Sequence, residues 1–69
     1  MKKLDVRGRG CPEPVLMTKK AIEDGEKNIE VMVDDATARN NVERFLKNNG
    51  FKVTIKEDEE DVYLLRGCR

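Results

Sequence analysis

Histidine and tryptophan are absent from this chain of 69 residues, and the aromatic residues are only Phe45, Phe51 and Tyr63. Without histidine, a hydrolase built on a histidine-activated thiol is excluded. Two cysteines, Cys11 and Cys68, fall short of the donors of an ordinary zinc site, so neither a metal nor any other cofactor is expected. Excess charge is missing too: Lys and Arg total 14, Asp and Glu total 14. That balance argues against a polyanion binder, and no direct nucleic-acid partner is expected. No apolar run is long enough for a membrane helix or a signal peptide. "MKKLDV" starts basic but returns to charge at Asp5, so it does not read as an export signal. A cytoplasmic protein with reduced cysteines is expected. No repeat, linker or low-complexity stretch divides the chain, so residues 1–69 read as one domain. Its size is near the lower limit for a self-sufficient core, which must be built of Val, Ile and Leu.

What is present is periodic. Leu4 and Val6 alternate with charged residues and predict a first strand ending at Gly8. Pro12 and Pro14 suit the first turn of a helix, where N–H groups have no partner. Val15, Thr18, Ala21 and Ile22 follow at helical spacing, and Gly25 stops the helix. Ile29, Val31 and Val33 predict a second strand. Asp34 or Asp35 caps a second helix that carries Ala38, Val42, Phe45 and Leu46 on one face, with Gly50 as its left-handed terminator. Phe51, Val53 and Ile55 predict one face of a third strand, Glu57–Asp61 a turn, and Val62–Arg66 a fourth strand. The order βαβαββ implies an α/β (α+β) two-layer sandwich, with a four-stranded mixed sheet and both helices on one face. Right-handed crossovers make the first three strands parallel and the closing hairpin runs the fourth antiparallel, while strand order stays open.

The stretch "RGRGCPEPVLMTKK" carries the chemistry. It puts Cys11 after the first strand and at the mouth of the first helix, where free N–H groups and the helix dipole favour a thiolate. Arg7 and Arg9 add positive charge and Glu13 opposes it, so a thiol pKa below the ordinary value is expected. A second reading makes Cys11 a small hydrophobe tucked under the helix. The second helix starts at the same sheet edge, which makes Asp34, Asp35, Thr37, Arg39 and Asn40 neighbours of the Cys11 loop. Capping and solvation account for most of these, and Arg39 is kept as a candidate site residue. Cys68 belongs at the opposite edge, too far for a disulfide with Cys11.

The residues Leu4, Asp5, Gly8, Cys11, Pro12 and Pro14 in "LDVRGRGCPEPVLMTKKAI" resemble the opening signature of the TusA family of sulfur carriers, also called SirA/YedF/YeeD. The resemblance extends over essentially the whole chain. It implies a fold like the C-terminal domain of bacterial translation initiation factor three. "VDDATARNNVERFLKNNGFKV" looks most like the YedF-type branch, some members of which are linked to selenium metabolism. The resemblance further implies that Cys11 takes sulfane sulfur as a persulfide, with Gly10, Pro12, Glu13 and Pro14 as the supporting motif. The donor would be a cysteine desulfurase or another persulfide donor, and a downstream acceptor protein would take the sulfur for tRNA thiolation or other sulfur or selenium metabolism. A monomer with no membrane partner is expected. Many relatives place an apolar residue after the loop glycine, where this chain has Arg9 and Gly10. Two other readings stand beside this one: a regulatory or RNA-binding module in which Cys11 is structural, and a thiol redox protein, which needs a resolving thiol.

Overall fold

The computed structural model describes residues 2–8, 13–59 and 61–69. Six elements follow in the expected order: β1 (Lys2–Asp5), α1 (Glu13–Glu23), β2 (Asn28–Val33), α2 (Ala36–Asn48), β3 (Lys52–Glu59) and β4 (Val62–Cys68). They form one four-stranded sheet of order β1-β2-β4-β3. β1 and β2 pair in parallel, with Leu4 opposite Val31. β4 enters between β2 and β3 and runs antiparallel to both, with Leu65 opposite Val31 on one side and Ile55 on the other. The first three strands thus share a direction, although β3 does not touch β2.

The alternation of β2 puts Ile29, Val31 and Val33 on one face, all fully buried. Val6 and Leu65 join them beneath the helices, together with Ala21 of α1 and Val42 and Leu46 of α2. α1 lies over β1 and β2, α2 lies over β2, β4 and β3, and the helices pack on each other. On the other face Glu30 meets its register partner Arg66 in an ion pair of 3.1 Å.

Both helices end alike. After α1, Gly25 N–H bonds to Ile22 O and Glu26 N–H to Ala21 O; after α2, Gly50 N–H bonds to Lys47 O and Phe51 N–H to Leu46 O. This pair of bonds needs a left-handed residue between helix and exit, and Gly25 and Gly50 supply it with φ of 88° and 84°. The buried Phe51 then packs with Leu46, so the stop of α2 is also a core contact.

Four sequence expectations require correction. Glu57–Asp61 is not all turn: β3 continues to Glu59 across an irregularity between Glu57 and Glu59, and Asp61 takes φ 63° before β4. Main-chain pairing with Tyr63 and Val62 carries the strand onward, and an edge strand tolerates the charges. β4 runs on to Cys68 rather than stopping at Arg66, because Gly67 and Cys68 still pair with Ile29 and Asn28. Ile55 has the right phase but is 37% exposed, since β3 is the outer strand and the helix layer does not cover its middle. Phe45 is half-buried and lies outside the core group that holds Val42 and Leu46.

Candidate functional site

Parallel pairing brings the ends of β1 and β2 to one sheet edge, so both helices begin there. The β1 chain keeps its pairing one step past the strand, where Val6 N–H donates to Met32 O at 3.0 Å. Gly8 N–H then donates to the carboxylate of Asp34 at 3.0 Å, from the loop between β2 and α2. Within the β1 loop, Asp5 accepts from Arg7 three times: from the backbone N–H at 3.2 Å, from Nε at 3.0 Å and from Nη2 at 2.9 Å. Arg7 is thus held within the turn by Asp5. Both side chains are about half exposed, so this pair shapes the turn more than it stabilises the fold. Asp5, Arg7, Gly8, Asp34 and Val62 line an open hollow at this edge.

The first helix is anchored from below. Pro14, Thr18 and Ala21 form its buried stripe, and the fully buried Thr18 hydroxyl donates to Pro14 O at 2.9 Å. Pro14 therefore serves as a packed plug at the helix start as well as stiffening it. Glu13 is exposed in the first turn. Of the sequence-predicted site residues, Arg9, Gly10, Cys11 and Pro12 lie outside the described residues.

Asp35 is the cap of α2: its backbone is extended at φ −151°, and its side chain accepts from Thr37 N–H at 2.9 Å. Arg39, one turn further, lays its guanidinium over the ring of Tyr63 at 4.6 Å and donates from Nε to the Asn40 side chain at 3.3 Å. Tyr63 pairs with Val33, the residue before Asp34, so the Arg39–Tyr63 stack belongs to the same edge as the Gly8–Asp34 contact. Cys68 is exposed and pairs with Asn28 at the opposite end of β2. At ~3.3 Å per residue, Asn28 and Val33 are separated by roughly 17 Å. Cys68 is thus remote from the edge where α1 begins. Among the described residues no group of three or more His, Cys, Asp or Glu could hold a metal ion, and no helix is long and apolar enough to cross a membrane.

Two features of this edge were missed in the sequence. The stacking of Arg39 on Tyr63 depends on β4 lying beside β2, which strand order alone decides. The Gly8–Asp34 bond spans 26 positions; the only local hint was a tandem Asp34-Asp35 where one cap suffices.

Residues 2–68 match the family model described as sulfurtransferase TusA. A Methanocaldococcus jannaschii protein named as a candidate sulfur carrier is 51% identical over 63 residues, covering 87% of this chain and 83% of the relative. A Bacillus subtilis protein of the same description is 35% identical over 63 residues, covering 88% of this chain and 84% of the relative. Among solved structures, a SirA-like protein from Desulfitobacterium hafniense superposes with a TM-score of 0.88 at 28% identity, over 99% of this chain and 96% of that one.

Proposed function

The chain belongs to the TusA family, and from that membership we propose that it carries sulfur as a persulfide on Cys11 and relays it between proteins. The observation that carries the reading is the placement of α1: the motif Cys11-Pro12-Glu13-Pro14 runs directly into a helix that starts at Glu13, at the sheet edge where β1 and β2 end. A helix N-terminus favours an anion, and a persulfide is an anion more readily than a thiol. The Cys11 thiolate attacks the outer sulfur of a donor persulfide; the new S–S bond forms on Cys11, the donor's S–S bond breaks, and the donor cysteine leaves as a thiolate. Sulfane sulfur moves without net oxidation or reduction. In the second step an acceptor thiolate attacks the outer sulfur on Cys11, which returns to thiolate.

The donor is a cysteine desulfurase or another persulfide-bearing protein, and the acceptor is a further carrier or sulfur-using enzyme. Residues 1–69 act as one carrier domain, with Gly10, Pro12 and Pro14 shaping the loop and Arg9 and Arg39 contributing positive charge. Leu16 is 54% exposed on α1 beside the exposed Lys19 and Lys20, which supports docking of an acidic partner surface around an apolar contact. The YedF-like segment makes selenium an alternative cargo for the same thiolate. The test is onward transfer. Loaded with radiolabelled sulfur by a desulfurase and purified, the native chain should pass label to a second thiol protein, and the Cys11→Ser chain should carry none. Label retained by Cys11→Ser would reject the assignment.

A further inference from the structure

Two adjacent aspartates follow β2, and they do different things. Asp35 caps its own helix through Thr37 N–H. Asp34 reaches to another loop and accepts the N–H of Gly8 at 3.0 Å. The position of that bond is telling. In a parallel pair the rungs advance by two residues on each strand, so the rung after Val6 N–H to Met32 O would be Gly8 N–H to the main-chain oxygen of Asp34. The Asp34 side chain takes that rung instead. Main-chain pairing ends here because β2 is entering the cap of α2 and Gly8 turns with φ 75°.

We propose that Asp34 is a positioning residue for sulfur transfer, its hydrogen bond to Gly8 setting the direction in which the chain enters residues 9–12 and thereby the presentation of Cys11. The proposal rests on the carrier reading above and adds a residue to it. The segment has an anchor on each side. On the helix side, Pro14, Thr18 and Ala21 are buried, so that anchor is part of the core. On the strand side, past the buried Val6, the Asp34 carboxylate on the Gly8 N–H ties this loop to the one after β2, beside the Asp5–Arg7 bonds inside the turn, and both Gly8 and Asp34 are exposed. Removing the carboxylate takes away this tie between the two loops while leaving the core contacts of α1 and β2 in place. Misplacing a reacting group costs rate in a docked, oriented transfer far more than in attack by a small diffusing reagent.

The experiment compares the native chain, Asp34→Ala and Asp34→Asn, all carrying Cys68→Ser. Single-turnover persulfide loading from a cysteine desulfurase is measured alongside Cys11 alkylation by iodoacetamide, the Gly8 amide resonance and the unfolding midpoint. Asp34→Ala should shift the Gly8 amide proton upfield and load about tenfold to a hundredfold more slowly, with alkylation rate and unfolding midpoint near native. Asp34→Asn keeps an acceptor oxygen and should restore both the Gly8 resonance and most of the loading rate. Native loading by Asp34→Ala overturns the proposal. So does equal slowing in both variants, which would assign the effect to charge, or slowing matched by a fall in unfolding midpoint, which would make the residue structural. Failure of the carrier reading looks different: the parent chain itself would take up no sulfur.

Discussion

Gly67 offers a test of the fold that leaves the chemistry untouched. It lies in β4 between Ile29 and Val53, directly beneath the end of α2. A Cβ added there would sit 3.2 Å from Leu46 Cδ1 and 3.3 Å from Phe51 Cδ2, both closer than side chains ordinarily approach. Both side chains belong to the packed core, so each would have to give by a few tenths of an ångström. Forcing a methylene-sized group into a packed core costs ~1–3 kcal/mol. Replacing glycine by alanine returns about 0.4–1 kcal/mol through the unfolded state, because Gly67 has no left-handed backbone. The balance for Gly67→Ala is a destabilisation of about 1 kcal/mol, equivalent to a fall of roughly 4–8 °C in the unfolding midpoint of so small a domain. Urea unfolding at unchanged slope is the assay. A Leu46→Ala background should absorb the methyl, so the double variant should cost less than the two single costs added together. Gly67→Ala as stable as the native chain, or strictly additive costs, would refute the proposed packing. Sulfur loading should be unaffected, because Gly67 lies toward the far edge of the sheet.

Two further outcomes follow from the site edge. Asp35→Ala removes the α2 cap and should lower stability by about 1 kcal/mol in thermal or urea unfolding, while Asp35→Asn, which keeps the acceptor, should lose much less. Lys19→Glu with Lys20→Glu should leave stability within ~0.5 kcal/mol yet slow uptake from a protein donor, and added salt should narrow the gap to the native chain. Equal uptake rates in low salt would remove the docking role of α1.

Local periodicity carried most of the architecture and little of the edge. Ile29, Val31 and Val33 announced a strand with one buried face, and Gly25 and Gly50 announced the helix stops, because these signals depend on near neighbours. The insertion of β4 between β2 and β3 depends on which strands meet after folding, and no local pattern records it. Ile55 shows the same limit in reverse: its phase assigns it to the helix face, but how far that layer extends is settled by where α2 lies. Glu57, Asp58 and Glu59 of β3 read as turn because side chains suggested solvent, whereas the backbone went on pairing. At the site, the sequence placed Pro14 and the α2 cap through their local roles. The Asp34–Gly8 bond and the Arg39–Tyr63 stack join residues distant in sequence and were legible only in three dimensions.

Whether Cys11 is the sulfur-bearing residue can be read from intact-mass spectrometry. The native chain, Cys11→Ser and Cys68→Ser would each be incubated with a cysteine desulfurase and cysteine and then weighed with and without reductant. A gain of one sulfur, about 32 Da, reversible by reductant, is expected in the native chain and Cys68→Ser and absent from Cys11→Ser. A folded native chain that gains no sulfur, or a Cys11→Ser chain that gains as much as the native one, would contradict it.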